Sequence, residues 1–119
     1  MIENRFVDLL VELRELTERE KVEWREAADE DCFLTLLKSG GVQIEKRYQE
    51  NEDGIPIPYY EATLLNSKSR PIQTLNGIPT VDGSSSLLHD VFELARFNAR
   101  RGADVLGDLL TEVHGIASR

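Results

Sequence analysis

The chain has 119 residues, 40% of them hydrophobic and 30% charged. This is the balance of a globular domain rather than a disordered chain, and the length fits one domain with its own core and excludes two. Twenty-two acidic against 14 basic side chains leave a formal charge of −8, which argues against general binding to nucleic acid or to an anionic membrane. Most of that excess lies in residues 1–60, with 15 acids and 8 bases. A single cysteine, Cys32, excludes an intramolecular disulfide framework and a cysteine-based zinc site. No apolar run follows a basic opening segment, and none approaches the ~20 residues that span a bilayer. These features predict a soluble, cytoplasmic protein.

Residues 2–19 carry Phe6, Leu9, Leu10, Leu13 and Leu16 at helical spacing, with charges on the other faces, and predict an amphipathic helix. The period then changes. Lys21-Val22-Glu23-Trp24-Arg25 alternates and predicts a half-buried strand with Val22 and Trp24 inward. Cys32–Leu37 is a second strand, Ser39-Gly40-Gly41 a turn, and Val42–Tyr48 a third strand. Gln49–Pro58 reads as a long loop turning at Asp53-Gly54, because Pro56 and Pro58 limit ladder hydrogen bonds. Tyr59–Leu65 and Ile72–Leu75 complete an antiparallel meander.

Gly77–Gly83 is a loop, and Ser84, Ser85 and Ser86 are helix N-cap candidates. Leu87, Leu88, Val91, Phe92, Ala95 and Ala99 form one helical stripe. Val105, Leu106, Leu109, Leu110 and Val113 form another beyond Gly102, so two helices are expected with a break near that glycine. Residues 115–119 read as a frayed tail.

The order predicts a single α+β domain over residues 1–119: an N-terminal helix, an antiparallel meander of about five strands, and two C-terminal helices packed on the sheet in two layers. A short sheet leaves little room for the last helix. Its stripe then has a second copy of the chain as an alternative cover, which makes a homodimer the expected assembly.

Catalytic and metal constellations are sparse. His89 and Glu93 are one helical turn apart, but two donors do not make a metal site. Cys32 sits among acids that oppose thiolate formation. The cluster Glu26, Asp29, Glu30 and Asp31 lacks the ligand spacing and glycine of a calcium loop. Phosphate-binding glycine motifs and the nucleophile elbow are absent. No catalytic residue, metal or cofactor is therefore assigned, and an enzyme is the least favoured reading.

Two surfaces stand out. Arg96, Arg100 and Arg101 form a basic patch, and with the helix start at Ser84–Ser86 they are the candidates for holding an anionic ligand or nucleotide. The stiff apolar segment Gly54–Tyr60, with Ile55, Ile57, Tyr59 and Tyr60, is the candidate for contact with a protein partner.

The run Leu10–Thr17 followed by Lys21-Val22-Glu23-Trp24 resembles the opening of many small uncharacterised prokaryotic proteins. These have a helix ending in L-T, a short polar turn and a K-[IV]-x-W strand. Leu94-Ala95-Arg96 resembles their second half, whereas Glu18-Arg19-Glu20 stands where they commonly place a glycine. The resemblance implies the same helix-then-sheet fold and brings no activity or functional residue with it. The expected function is a non-enzymatic protein-interaction or regulatory module acting as a homodimer, with an anion binder at Arg96 and Arg100 as the alternative.

Overall fold

The alternation along the middle of the chain builds one antiparallel sheet whose strands lie in sequence order. The computed structural model describes residues 2–77 and 83–119. Helix α1 (Ile2–Glu18) leads into β1 (Arg25–Glu26), β2 (Cys32–Leu37), β3 (Gly40–Glu50), β4 (Pro56–Asn66) and β5 (Pro71–Gly77). Helices α2 (Gly83–Ala99) and α3 (Gly102–Ala117) follow. This is the α+β class that the sequence predicts.

Residues directly opposite across the strands share a face. Phe33, Ile44, Ala62 and Leu75 form one such row, and Thr35, Val42 and Leu64 form the next. Both rows lie under α2, which touches all five strands. From α2, Leu88, Val91, Phe92 and Ala95 enter this core, and α1 lies alongside and adds Phe6, Leu10 and Leu13. Phe33 meets Phe92 edge to face with ring centroids 5.5 Å apart, and Tyr60 lies 5.3 Å from Phe92. Aromatic pairs of this kind contribute about 0.5–1.5 kcal/mol beyond the area they bury. The opposite face of the sheet is mixed, with Leu34, Gln43, Thr63 and Thr74 in one row, Cys32, Glu45, Glu61 and Asn76 in another, and Leu36 and Leu65 on either side of Gly41.

Residues 21–24 do not form the strand that their alternation predicts; β1 is only Arg25–Glu26. Val22 and Trp24 are buried as expected, but side chains take the place of a neighbouring strand. The Trp24 N–H donates to Asn98 Oδ1 at 2.7 Å, and Asn98 Nδ2 donates to the Val22 carbonyl at 3.1 Å. The Thr35 hydroxyl donates to the Glu23 carbonyl at 2.8 Å. Trp24 Nε1 donates to Thr17 Oγ1 at 2.9 Å, and that hydroxyl donates to the Leu13 carbonyl. With its backbone groups paired in this way, the segment has no need of a ladder.

The predicted loop 49–58 is also shorter than expected. β3 and β4 pair as far as Glu50↔Pro56, which leaves only residues 51–55 as the turn. Pro56 and Pro58 are two apart, so the donors they lack fall on one edge of β4. Pairing with β3 survives because that edge is the one β3 does not use. The turn is closed by Asn51, whose Oδ1 accepts from the Asp53 and Ile55 N–H groups, with Gly54 at φ 75°. Asn66 closes the next turn in the same way, accepting from Lys68 and Arg70, with Ser69 at φ 61°. The Asx side chain replaces backbone turn bonds in both.

α3 runs as a helix to Ala117. The helix break falls one residue earlier than Gly102, at Arg101, which adopts φ 56°. Gly102 has a different role: a Cβ there would overlap the Phe97 ring, so the glycine lets the two helices meet at a close elbow. α3 contacts α2 and none of its residues is buried. The radius of gyration is 16.7 Å, against about 13.5 Å for a compact chain of this length.

Asn98→Ala removes both the acceptor for Trp24 and the donor for Val22, leaving partly buried backbone groups unpaired. We expect a loss of about 2–3 kcal/mol, read as a lower midpoint in urea unfolding, with Asn98→Asp intermediate because it retains the acceptor.

Candidate interaction surface

The basic patch is already neutralised by the chain itself. Arg96 pairs with Glu93 one turn before it and lies 5.9 Å from the Phe92 ring. Arg100 donates to Glu26 at 2.6 Å and lies 5.5 Å from the Phe33 ring. The Glu26 contact is the main cause holding the Arg100 guanidinium charged. Arg101 pairs with Asp104 at 2.6 Å in the first turn of α3. An anion at Arg96 and Arg100 must displace two carboxylates. Ser86 is exposed in the first turn of α2, whereas the side chains of Ser84 and Ser85 lie outside the described residues, as does the loop 78–82.

The other partner candidates are split by the fold. Ile55 is exposed at the tip of the β3–β4 arm, and Ile57 and Tyr59 are half-buried. Tyr60 is in the core against Phe92 and is not available as a surface contact; burial raises its hydroxyl pKa. Tyr59 stands opposite Arg47, whose charged form is held first by the Tyr59 side chain and then by Glu45 and Glu61. Tyr48 is exposed beside Ile55's end of the arm, on the strand opposite Pro58. Its exposure was not foreseen from the sequence.

His89 lies within 3.5 Å of Asp90 and 4.0 Å of Glu93, with its ring edge-on to Tyr60. Among the described residues no group of three or more His, Cys, Asp and Glu side chains is placed to hold a metal ion. Cys32 is buried opposite Glu45. Burial first, then the Glu45 and Asp29 carboxylates, push its thiol up to about 11, so it is protonated at neutral pH and a poor nucleophile.

An exposed apolar stripe lies on α3. Val105, Leu106, Leu109, Leu110, Val113 and Ile116 are 49–62% exposed and lie on one face at helical spacing. Six aliphatic side chains left half in water amount to about 500 Å² of apolar surface, in the upper range of the largest patch on a typical monomer. Leu106, Leu109, Val113 and Ile116 follow the 3-4-3 spacing of a helix–helix seam.

Local propensity does not hold α3 together. Gly107 and Gly115 sit in its interior with open space where a Cβ would be, and each costs about 1 kcal/mol relative to alanine. Asp104, Asp108 and Glu112 repeat at four-residue spacing on one flank, and like charges at that spacing are destabilising. At 16 residues it is little longer than the ~12–15 below which isolated helices are marginal in water. Its stability therefore depends on covering the apolar face.

A groove of about 800 Å³ lies at the base of α3, lined by Thr17, Trp24, Phe97, Asn98 and Gly102 with Glu18, Glu20 and Glu23 at its acidic side. That side repels the acidic flank of α3, which counts against α3 folding down onto its own body. No helix among the described residues is long and apolar enough to cross a membrane. Comparison with protein-family models, curated proteins and solved structures returned no significant match, so the reading rests on the chain's own geometry.

Two outcomes follow from these placements. Cys32 should resist a thiol reagent in the native protein and react on unfolding. The thiol pKa is raised in the fold, so the stability it confers is complete below the unfolded thiol value near 9. It is lost as pH rises toward 11, seen as a falling urea midpoint in that window and a flatter profile for Cys32→Ala. Gly107→Ala should strengthen α3 by about 0.5–1 kcal/mol, measured as slower amide exchange in residues 103–117 with the core unchanged.

Proposed function

We propose that this chain is a non-enzymatic protein-interaction module that self-associates through α3 and acts as a homodimer. The observation that carries this reading is the uncovered stripe Val105–Ile116 on a helix that local propensity does not sustain. Two stripes laid together would remove about 1,000 Å² from water, the lower bound for a biological interface. Cytoplasmic residence belongs to the same proposal, supported by a single buried thiol that suits a reducing compartment. The arm with Tyr48, Ile55 and Ile57 is a secondary contact for a different protein partner.

Leu106→Glu with Leu109→Glu puts two charges into the seam without touching the core. Sedimentation should show a dimer for the unsubstituted chain at micromolar concentration and at least 100-fold weaker association for the variant, with the same circular dichroism from the sheet and α2. A chain that sediments as a monomer at tens of micromolar overturns the proposal.

A further inference from the structure

One end of the sheet carries the chemistry that α3 lacks. Gly40 is opposite both Leu37 and Asn66, so the β2–β3 turn and the β4–β5 turn lie side by side. They bring Lys38, Lys68 and Arg70 to the same end. All three are exposed, and none forms an ion pair among the described residues. In a chain with 22 acids, no aspartate or glutamate occurs from Cys32 to Ile44 or from Ala62 to Gly77. The same end exposes aliphatic side chains: Leu36, Leu37 and Ile72 are 43%, 53% and 61% exposed. Leu36 lies over Gly41, its Cδ2 2.8 Å from where a Cβ would stand, with Leu65 on the other side of that glycine.

We propose that α3 of each copy is seated on this end of the other copy's sheet, its stripe against Leu36, Leu37 and Ile72 and its acidic flank toward Lys38, Lys68 and Arg70; this rests on the homodimer reading above and names the surface that covers the stripe. A two-fold pair makes the contact twice and closes. Stripe against stripe gives the acids no basic partner, because α3 carries no lysine or arginine between Gly102 and Ala117. Seated on the sheet end, each stripe also covers three exposed aliphatics. The area removed from water rises to about 1,500 Å², close to a standard interface. The dimensions agree. Asp104 and Glu112 are about 12 Å apart along the helix, and the two basic turns are about 10 Å apart at two strand spacings. A lipid or nucleic-acid surface suits this end less well, since it meets the whole acidic body, whereas one helix meets only the end free of acids.

The seat is tested by charge exchange, read as association in sedimentation. Lys68→Glu with Arg70→Glu reverses the sheet end, and Asp108→Lys with Glu112→Lys reverses the flank. All four side chains are exposed, and the turn at Asn66 uses only the backbone N–H groups of Lys68 and Arg70, so the fold is kept. Each double variant alone should associate at least 10-fold more weakly than the unsubstituted chain, because both contacts of its dimer join like charges. An equimolar mixture of the two should recover the dimer, because both contacts then join opposite charges. The unsubstituted dimer should also weaken as salt is raised. A Lys68→Glu, Arg70→Glu chain that dimerises as tightly as the unsubstituted one puts another surface opposite the stripe and overturns the seat. A mixture that associates no better than its components overturns it too. An unsubstituted chain that sediments as a monomer instead fails the homodimer reading, so the two failures are told apart.

Discussion

The side chain of Asn98 determines how the two ends of the chain meet. Through one amide it accepts from the Trp24 N–H and donates to the Val22 carbonyl, and so ties the last turn of α2 to the segment that leaves α1. Trp24 continues the connection by donating to Thr17. A polar chain thus runs from α1 through residues 22–24 to α2, at the edge of a core otherwise closed by apolar contact. Hydrogen bonds in such a place are worth little more than about 1 kcal/mol each, but leaving their partners unmade costs more. This makes the amide a constraint on geometry as much as a source of stability.

That constraint has a consequence for the surface. With the end of α2 held by Trp24, the next residues must turn away from the sheet. Arg101 adopts a left-handed conformation and Gly102 accepts the Phe97 ring, and α3 leaves the body with its apolar stripe uncovered. The charges follow the same division. Arg96, Arg100 and Arg101 are each matched to a carboxylate of their own chain, whereas Asp104, Asp108 and Glu112 form a flank along the helix that seeks cover.

Several parts of this architecture are legible in the residues alone. The 3.6-residue stripes of α1, α2 and α3 and the alternation in β2 to β4 are local periodicities, and each survives folding because it already defines a face to bury. The surplus stripe at Val105–Val113 was visible for the same reason. The strand expected at residues 21–25 failed because alternation reports which side chains are buried and not what pairs the backbone; Asn98 is more than 70 residues away. The loop expected at residues 49–58 failed because prolines exclude only ladder positions that need their N–H. Tyr60 was grouped with Ile55 by sequence proximity, yet strand alternation and the turn separate a core ring from an exposed tip.

By itself the sequence determined the α+β class, the order of helices and strands, the core faces of most elements, the absence of phosphate-loop and cysteine–zinc motifs, and the presence of one apolar stripe too many. These depend on neighbours in the chain, whose spacing is set by backbone geometry. Only the tertiary structure decided that the arginine patch is paired and that the uncovered stripe stands on a helix turned away from its own sheet. Those properties depend on distances between residues far apart in the chain, such as Glu26 and Arg100, and no local pattern encodes them.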